Sequence, residues 1–510
     1  MKIFRFFIVL TISLFTIHTT PFATNYFVSN SGDNSNSGTS LQNAFETIQT
    51  ATDIVSDGDT VFVAEGEYVG FDHRESNGTE SAPIVYKALS SDVVITTHGP
   101  KRNDGINIEN ANYIIIDGFT SNDMTGNGCG IRVVLANNCI VRNCKCDNNA
   151  ERGIFTGFTD DILIEKNICT NSVDEHGIYV SNSSDRPIIR YNECYGNTRC
   201  GIHINGDQSQ DGDGIISNAQ IYGNTIYDNN LGAGINLDGA DAPVIYNNLI
   251  YNNHASQGIV MFQEDGAIVS KGAKIYNNTI IVPTDGRWGI LVKDGGNINT
   301  QIYNNIIINN HSFRGCIGVN ATTDFSSDYN IVNDKMSNDG DESTISLSEW
   351  QQLGLGTHSL IADELSDIFV KQEDGDYSLK SQSQAIDAGT DLVKDIVKND
   401  IADINRPIGA KFDIGAFEYA MTSTLPSSNS YKNRNGIKTD YNPIAKSLTV
   451  KLTNSDTSIK KISIIDAFGR TVHAAESTNK LDLKNLSSGI YFINIKLKNN
   501  SFVNDKFIIR

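Results

Sequence analysis

Five side chains give this chain a concentrated means of doing chemistry: Arg132, Arg152, His176, Tyr179 and His203. A guanidinium, a phenol and an imidazole are the groups needed to take a proton from the carbon beside a carboxylate. The guanidinium neutralises the carboxylate, so the neighbouring C–H becomes acidic enough to lose, and the other two groups move protons. Glu175, Arg199, Asn205, Asn236 and Asp238 recur at related spacings and suit substrate binding around them.

A repeat positions these groups. Gly130-Ile131-Arg132-Val133, Gly153-Ile154-Phe155-Thr156, Gly177-Ile178-Tyr179-Val180, Gly201-Ile202-His203-Ile204 and Gly234-Ile235-Asn236-Leu237 share one pattern, and their isoleucines are 23, 24, 24 and 33 residues apart. Apolar residues at every second position predict strands. A unit of two dozen residues cannot bury its own face and must stack on copies of itself. The register extends from Gly105-Ile106-Asn107 to Gly258-Ile259-Val260, Gly289-Ile290-Leu291 and Cys316-Ile317-Gly318. Asn143, Asn167, Asn192, Asn224, Asn248, Asn278 and Asn305 each follow a short apolar strand. Asparagine tolerates left-handed backbone and bonds its own turn, so these amides are expected to form a ladder inside a coil. The predicted fold is all-β, a right-handed parallel β-helix of about nine rungs.

In each strand the isoleucine points in and its successor out. The successors form one column: Asn107, Arg132, Phe155, Tyr179, His203, Asn236, Val260, Leu291. Rungs sit about 4.8 Å apart, so Tyr179 and His203 are expected side by side. His176 falls on the rung of Tyr179, Arg152 one rung away and Arg132 two, while Glu175 and Arg199 flank the same face. Long turns at 205–218 and 262–274 are placed to wall a groove. An outward His or Tyr is ordinarily just solvated, and Arg132 or Arg152 alone would be an ion-pair partner, for instance of Glu151 or Glu175. It is their coincidence on adjacent rungs that points to chemistry. Tyr222, Tyr246, Tyr276 and Tyr303 sit before the asparagine ladder and read as structural stacking residues.

The 510 residues carry a net charge of -20, which argues against nucleic acid as a partner. An acidic surface also repels an anionic polymer, so such a substrate needs local basic groups. The eight cysteines lie between 129 and 316. Cys129 and Cys200 share a column three rungs apart, about 14 Å, too far to bridge. No CxxC or clustered Cys/His pair is apparent, which disfavours zinc. Asp207, Asp211 and Asp213 could bind Ca²⁺, although Asp-Gly-Asp-Gly is also ordinary turn chemistry, and no metal is assigned.

Residues 1–23 read as a signal peptide: Lys2 and Arg5, an apolar run from Phe6 to Phe15, and Pro21-Phe22-Ala23. Residues 24–100 form an N-terminal cap and first rungs. Within them Gly38 to Val55 reads as an amphipathic segment, with Leu41, Phe45, Ile48 and Ile54 on one side and Ser40 as N-cap. Residues 101–330 carry the coil and its active face, 331–420 a C-terminal cap, 421–440 a linker and 441–510 a separate small β domain. The stretch SGDNSNSGTS…AFETIQTATDIVSDGDTVFVAEGEY resembles the amino-terminal part of secreted bacterial β-helix proteins of the polysaccharide-lyase, chondroitinase-B-like kind, a likeness running over about 25–320. AIDAGTDLVKDIVKNDIADINRPIGAKFDIGAFEY resembles a segment that closes such coils. YNPIAKSLTV, IDAFGRTV, LSSGIYFINI and KFIIR resemble the carboxy-terminal sorting domain of type IX secretion in Bacteroidota. That likeness implies export to the surface or beyond and the secretion machinery as a partner.

The resemblance turns the general chemistry into an expectation. A uronic-acid glycan is broken by β-elimination: a base takes the C5 proton beside the carboxylate, and the oxygen on C4 leaves with the help of an acid. Arg132 and Arg152 supply the cation and Tyr179 and His203 the base and acid, with His176 in reserve. Asn236 and Asp238 suit hydroxyls of the adjacent sugar. Several β-helix lyases use Lys or Arg as base with Ca²⁺ on the carboxylate. Here the central columns carry no lysine before Lys293, which favours the Tyr/His scheme. If C4 carries a sugar the enzyme is a lyase, and if it carries a free hydroxyl at a non-reducing end it is an oligosaccharide dehydratase. Ulvan leads alginate and pectin-like polymers as the expected glycan, and the protein is expected to be a monomer. The rivals are a glycoside hydrolase, which needs two carboxylates, a C5 epimerase, and a glycan-binding surface protein without turnover.

Overall fold

The computed structural model describes residues 23–420 and, within 421–510, the strands and some of their connections. The segment read as a signal peptide lies outside the described residues except for Ala23. Three parallel sheets of 12, 11 and 12 strands run the length of a coil. The 11-stranded sheet starts at Phe71–Arg74 and ends at Met336–Ser337. It has more rungs than the glycine–isoleucine signature marks, because its end rungs fill the isoleucine place with other side chains: Phe71 pairs with Ile106 and Met336 with Ile317.

In the middle of this sheet the register is Arg132–Phe155–Tyr179–His203–Asn236. Ile131, Ile154, Ile178, Ile202 and Ile235 behind it are fully buried, each worth about 1.5–3 kcal/mol. The glycine before each isoleucine is required by close approach. A Cβ on Gly153 would sit 2.6 Å from the carbonyl oxygen of Gly177, and one on Gly177 would sit 2.8 Å from that of Gly201.

The asparagine ladder runs from Asn167 through Asn192, Asn224, Asn248, Asn278 and Asn305 to Asn330. Each backbone N–H and each amide N–H donates to the carboxamide oxygen of the next, as Asn192 does to Asn224 at 2.9 and 3.0 Å. Asn143 is not a member. It occupies the left-handed position one residue earlier (φ 54°) and donates to Asp117, while Cys144 takes the ladder place and donates its N–H to Asn167. At this corner the left-handed residue is the one before the ladder amide: Lys166, Tyr191, Gly223, Asn247, Asn277, Asn304 and Tyr329. A second ladder, through Asn197, Asn229 and Asn253, lies at the following corner.

The amphipathic segment is not one helix. Ser40 caps a single 3₁₀ turn at Leu41–Asn43, and Thr47 caps a short helix at Ile48–Thr52. Between them Phe45 bonds in extended form to the first strand, accepting from Ser29 and donating to Phe27. Phe45 and Ile48 are buried, but Leu41 and Ile54 are half-exposed. In the C-terminal cap Arg406 and Glu418 form a fully buried ion pair at 2.9 Å.

The chain divides into two units, Met1–Tyr419 and Ala420–Arg510. Among the described residues the second holds two four-stranded antiparallel sheets over a core that includes Leu448, Ile462, Ile464 and Ile493. Of the stretch read as a linker, Tyr431–Lys432 pairs with Ile437–Asn442, so part of it is strand. All eight cysteines are buried and free. Tyr222 and Tyr246 stack at 4.6 Å, and Tyr276 packs tilted against Tyr303 at 6.0 Å.

Asn224→Ala would leave the buried N–H groups of Asn192 without an acceptor. Unfolding of the coil in denaturant is expected to show a loss of about 3 kcal/mol. An unchanged midpoint would remove the ladder from the list of structural determinants.

Candidate active site

The face built from Ile154–Gly157, Ile178–Ser181 and Ile202–Asn205 brings four of the five expected groups together. The Tyr179 and His203 rings stack at 4.8 Å. His176 lies 5.1 Å from Tyr179 and edge-on to His203 at 4.6 Å. The Arg152 guanidinium lies over the Tyr179 ring at 4.9 Å and over Phe155 at 5.2 Å. Its other contacts are ion pairs to Glu151 at 2.7 Å and Glu175 at 2.8 Å, and its buried Nε has no partner.

Arg132 does not join them. Phe155 stands between it and Tyr179 in the column, and its guanidinium is held by Asn107 at 2.8 Å and Glu109 at 3.0 Å. With its guanidinium spent there, Arg132 lies outside the cluster in which it was expected to meet a substrate carboxylate. The expected role of Asp238 on sugar hydroxyls also fails. Asp238 is buried and its carboxylate accepts the backbone N–H groups of Glu264, Asp265 and Gly266 at 3.0, 2.7 and 3.1 Å. It anchors a wall of the site and does not face the groove.

That anchoring brings in a residue the spacing did not reveal. Asn205 donates its amide to the Tyr179 hydroxyl at 2.8 Å and to the exposed carboxylate of Asp265 at 3.3 Å. Asp265 lies 60 residues further on, in the 262–274 turn, where no periodicity applies; its one sequence signal is the extra length of that turn. The two long turns also bond each other, Gln208 N–H to the Asp265 carbonyl and Ala267 N–H to that of Gly214. In the 205–218 turn Asp207 accepts from Ser209 and Asp213 from Ile215. Those carboxylates cap their own turns and do not converge as a Ca²⁺ site.

Among the described residues, the ligand-type group that does converge is His176, Cys200 and His203, whose donor atoms lie within 4.8 Å of one another. The expectation that no Cys/His cluster exists is thus corrected: residues 24 and 27 apart in sequence share a patch because the rung is two dozen residues long. Asn236 donates weakly to the Cys200 sulfur at 3.6 Å and leaves its buried oxygen unpartnered. Arg199 is tethered to the Asp174 carbonyl at 3.3 Å.

Burial, with Arg152 and Arg199 adding to it, holds the His203 imidazole neutral, its pKa lowered to about 3. His176 is pushed well down by burial first, then by His203 and the same arginines. Burial raises the Tyr179 phenol, against the opposing hydrogen bond from Asn205. The patch therefore holds two neutral imidazoles, a phenol and a cation whose buried Nε lacks a partner. Such a set can polarise a carboxylate-bearing substrate and shuttle one proton.

The molecule is a right-handed parallel β-helix protein with an appended sorting domain. Residues 26–173 match the family described as Pel9A-like, right handed beta helix region, and residues 205–336 the right handed beta helix region. Residues 442–510 match the secretion system C-terminal sorting domain, which directs type IX export to the cell surface or the medium. Among solved structures, the pectate lyase Pel9A shares the fold with a TM-score of 0.53 and 15% identity, covering 78% of this chain and 96% of that one. A rhamnogalacturonan lyase aligns at 14% identity over 56% of this chain and 82% of its own, with a TM-score of 0.45. An alginate lyase from Paenibacillus aligns at 18% over 50% and 90%, with a TM-score of 0.42. The comparison with curated proteins found no match. Among the described residues no helix is long and apolar enough to cross a membrane.

Because the folded pKa of His203 lies below its unfolded value near 6.5, the unfolded chain binds more protons below that pH, and stability drains as pH falls from about 6.5 towards 3. The wild type is expected to lose more stability than His203→Gln between pH 6.5 and 4 in paired thermal melts. Parallel loss in both would show that the ring is not held neutral by its surroundings.

Proposed function

We propose that this protein is a carbon–oxygen lyase that acts by β-elimination on a uronic-acid glycan. The observation that carries the reading is the convergence of Arg152, Tyr179 and His203 on one face with hydrogen-bonding atoms of Arg152 and His203 unspent. Arg152 pairs with the substrate carboxylate and makes the C5 proton acidic. Tyr179 and His203 serve the departure of that proton and of the oxygen on C4. The electron pair of the C5–H bond becomes the C4–C5 double bond, and the C4–O pair leaves with the oxygen, which receives a proton. His176, Glu175, Asn205 and Arg199 orient these groups, and Asn236 and Asp265 meet hydroxyls of the sugar.

The shared fold with a pectate lyase supports the scaffold and is silent on the sugar. Surface export in an acidic protein fits a polymer met outside the cell, with ulvan first among the uronic glycans proposed. Elimination at an internal linkage cuts the chain, and elimination of water at a non-reducing end dehydrates an oligomer; the same groups serve both. A hydrolase, which needs two carboxylates free for acid and base work, is disfavoured because Glu151 and Glu175 are both paired with Arg152, which leaves Asp265 without a second one.

Incubation with a panel of uronic glycans and their oligomers, read by mass spectrometry and ultraviolet absorbance, is expected to give unsaturated uronides, by chain cleavage or by loss of one water. Saturated products of cleavage would establish a hydrolase, C5 inversion an epimerase, and binding without change a non-catalytic protein. Tyr179→Phe and His203→Ala are each expected to lower turnover by about 10²-fold or more with unchanged circular dichroism. Full turnover in both would move the site elsewhere.

A further inference from the structure

The hydrogen bonds of His176 and His203 fix where their protons sit. The backbone N–H of Cys200 donates to His176 Nδ1 at 3.2 Å, so that nitrogen carries a lone pair. A neutral imidazole keeps one proton, so His176 is protonated on Nε2. Two acceptors stand at that atom, as this requires: His203 Nδ1 at 3.0 Å and the Glu175 carboxylate at 3.3 Å. His203 Nδ1 therefore accepts, and the proton of neutral His203 lies on Nε2. That N–H is buried and has no partner, although the residue itself reaches the surface. The next residue in the column, Asn236, offers a buried carboxamide oxygen that also lacks a partner.

We propose that His176 is a positioning residue that locks His203 as a hydrogen-bond donor through Nε2, so that His203 recognises a substrate oxygen and does not serve as the base. The inference rests on the elimination reading for its role in turnover but not for the proton positions. An imidazolium at His203 would set an Nδ1–H against the Nε2–H of His176, two donors facing each other. The opposite tautomer would demand a proton on His176 Nδ1, where the Cys200 N–H already points. Both orphaned atoms are buried in the free protein, so a sugar hydroxyl would meet them only where binding uncovers them, its oxygen then accepting from His203 Nε2–H and its hydrogen donated to the Asn236 oxygen. The C5 proton then falls to the Tyr179 oxygen. The phenol first gives its own proton to solvent, a step that its burial makes harder at low pH; as phenolate it then takes the C5 proton while the C4–O bond breaks, and as phenol it passes that proton to the departing oxygen, which leaves the phenolate for the next cycle. The same geometry speaks against a transition metal on His176, Cys200 and His203. The His176 Nε2 lone pair is spent on a proton, and Arg152 and Arg199 add positive charge.

The test uses the full chain with ¹⁵N-labelled histidine. Long-range ¹H–¹⁵N spectra at neutral pH are expected to show both rings protonated on Nε2 and bare on Nδ1. His176→Ala is expected to release His203 into a tautomer mixture and lower turnover about 10²-fold. His176→Gln, whose amide can donate to the same nitrogen, is expected to restore the single tautomer and most of the rate. A His203 protonated on Nδ1, or on both nitrogens, would overturn the proposal. So would a zinc titration that shifts both rings at equimolar metal. If the spectra agree but no uronic glycan is turned over, the tautomer lock stands and the elimination reading falls.

Discussion

The parallel register between neighbouring rungs is the constraint on which everything else depends. Two residues a rung apart in sequence become neighbours about 4.8 Å apart only if no rung slips. A slip by one residue would turn every outward group inward. The buried asparagine ladder prevents it. Each amide satisfies a backbone N–H and a backbone carbonyl of the rung before it, as Asn224 does with Asn192 and Ile189, so a shifted rung would strand several buried polar groups at once. The glycines before the isoleucines act in the same sense, because only a residue without Cβ lets the carbonyl of the next rung approach to this distance. Order in the interior is thus what gives precision to a site on the exterior.

This explains which parts of the molecule were legible. The coil and the column Arg132–Phe155–Tyr179–His203–Asn236 follow from a strict period, so counting residues was enough to place them. Direction within a column was not legible in the same way. Asn107 and Leu291 lie in the outward column yet are fully buried, the first because it bonds Asp72 and Arg132 and the second because it packs with Val260, Trp288 and Phe262. Asp238 is the clearest case. Its position predicts a groove-facing carboxylate, but the inserted turn after Phe262 folds back over it and binds it with three backbone N–H groups. Insertions obey no period, so neither the burial of Asp238 nor the arrival of Asp265 beside Asn205 could be counted out. Asn143 shows the same limit at one-residue scale. Its type suits the left-handed place and the ladder place equally, and only the hydrogen bonds decide.

The electrostatics of the site follow from its place in an acidic chain. A net charge of -20 opposes an anionic ligand at long range, but salt screens exposed charges beyond about 8–10 Å. What a bound carboxylate feels is the local set. Arg152 is held by two carboxylates, Glu151 and Glu175, that offset its charge in the free protein. On the proposed reading a substrate carboxylate would have to compete with them, and that competition would make Arg152 selective for a ligand that also satisfies the neighbouring atoms. Affinity from charge alone is low in such a site, and recognition falls on geometry.

Two neutral imidazoles side by side would be an odd choice for groups meant to take up protons, since burial and nearby arginines both penalise the cation. They are a sound choice for fixing direction. A chain of donors that starts at a backbone N–H of the coil, passes through His176 and ends at His203 inherits the rigidity of the rungs and points one N–H at a chosen place. The ladder inside and the imidazole pair outside are then the same device: hydrogen bonds handed from rung to rung, with the polarity of each set by the one before. In that arrangement the phenol of Tyr179 is left as the group that can change its protonation, and its pairing with Asn205 ties it to the one wall of the site that is not periodic. Specificity for the glycan would accordingly evolve through the 262–274 turn, which can change in length and sequence without disturbing the register beneath it.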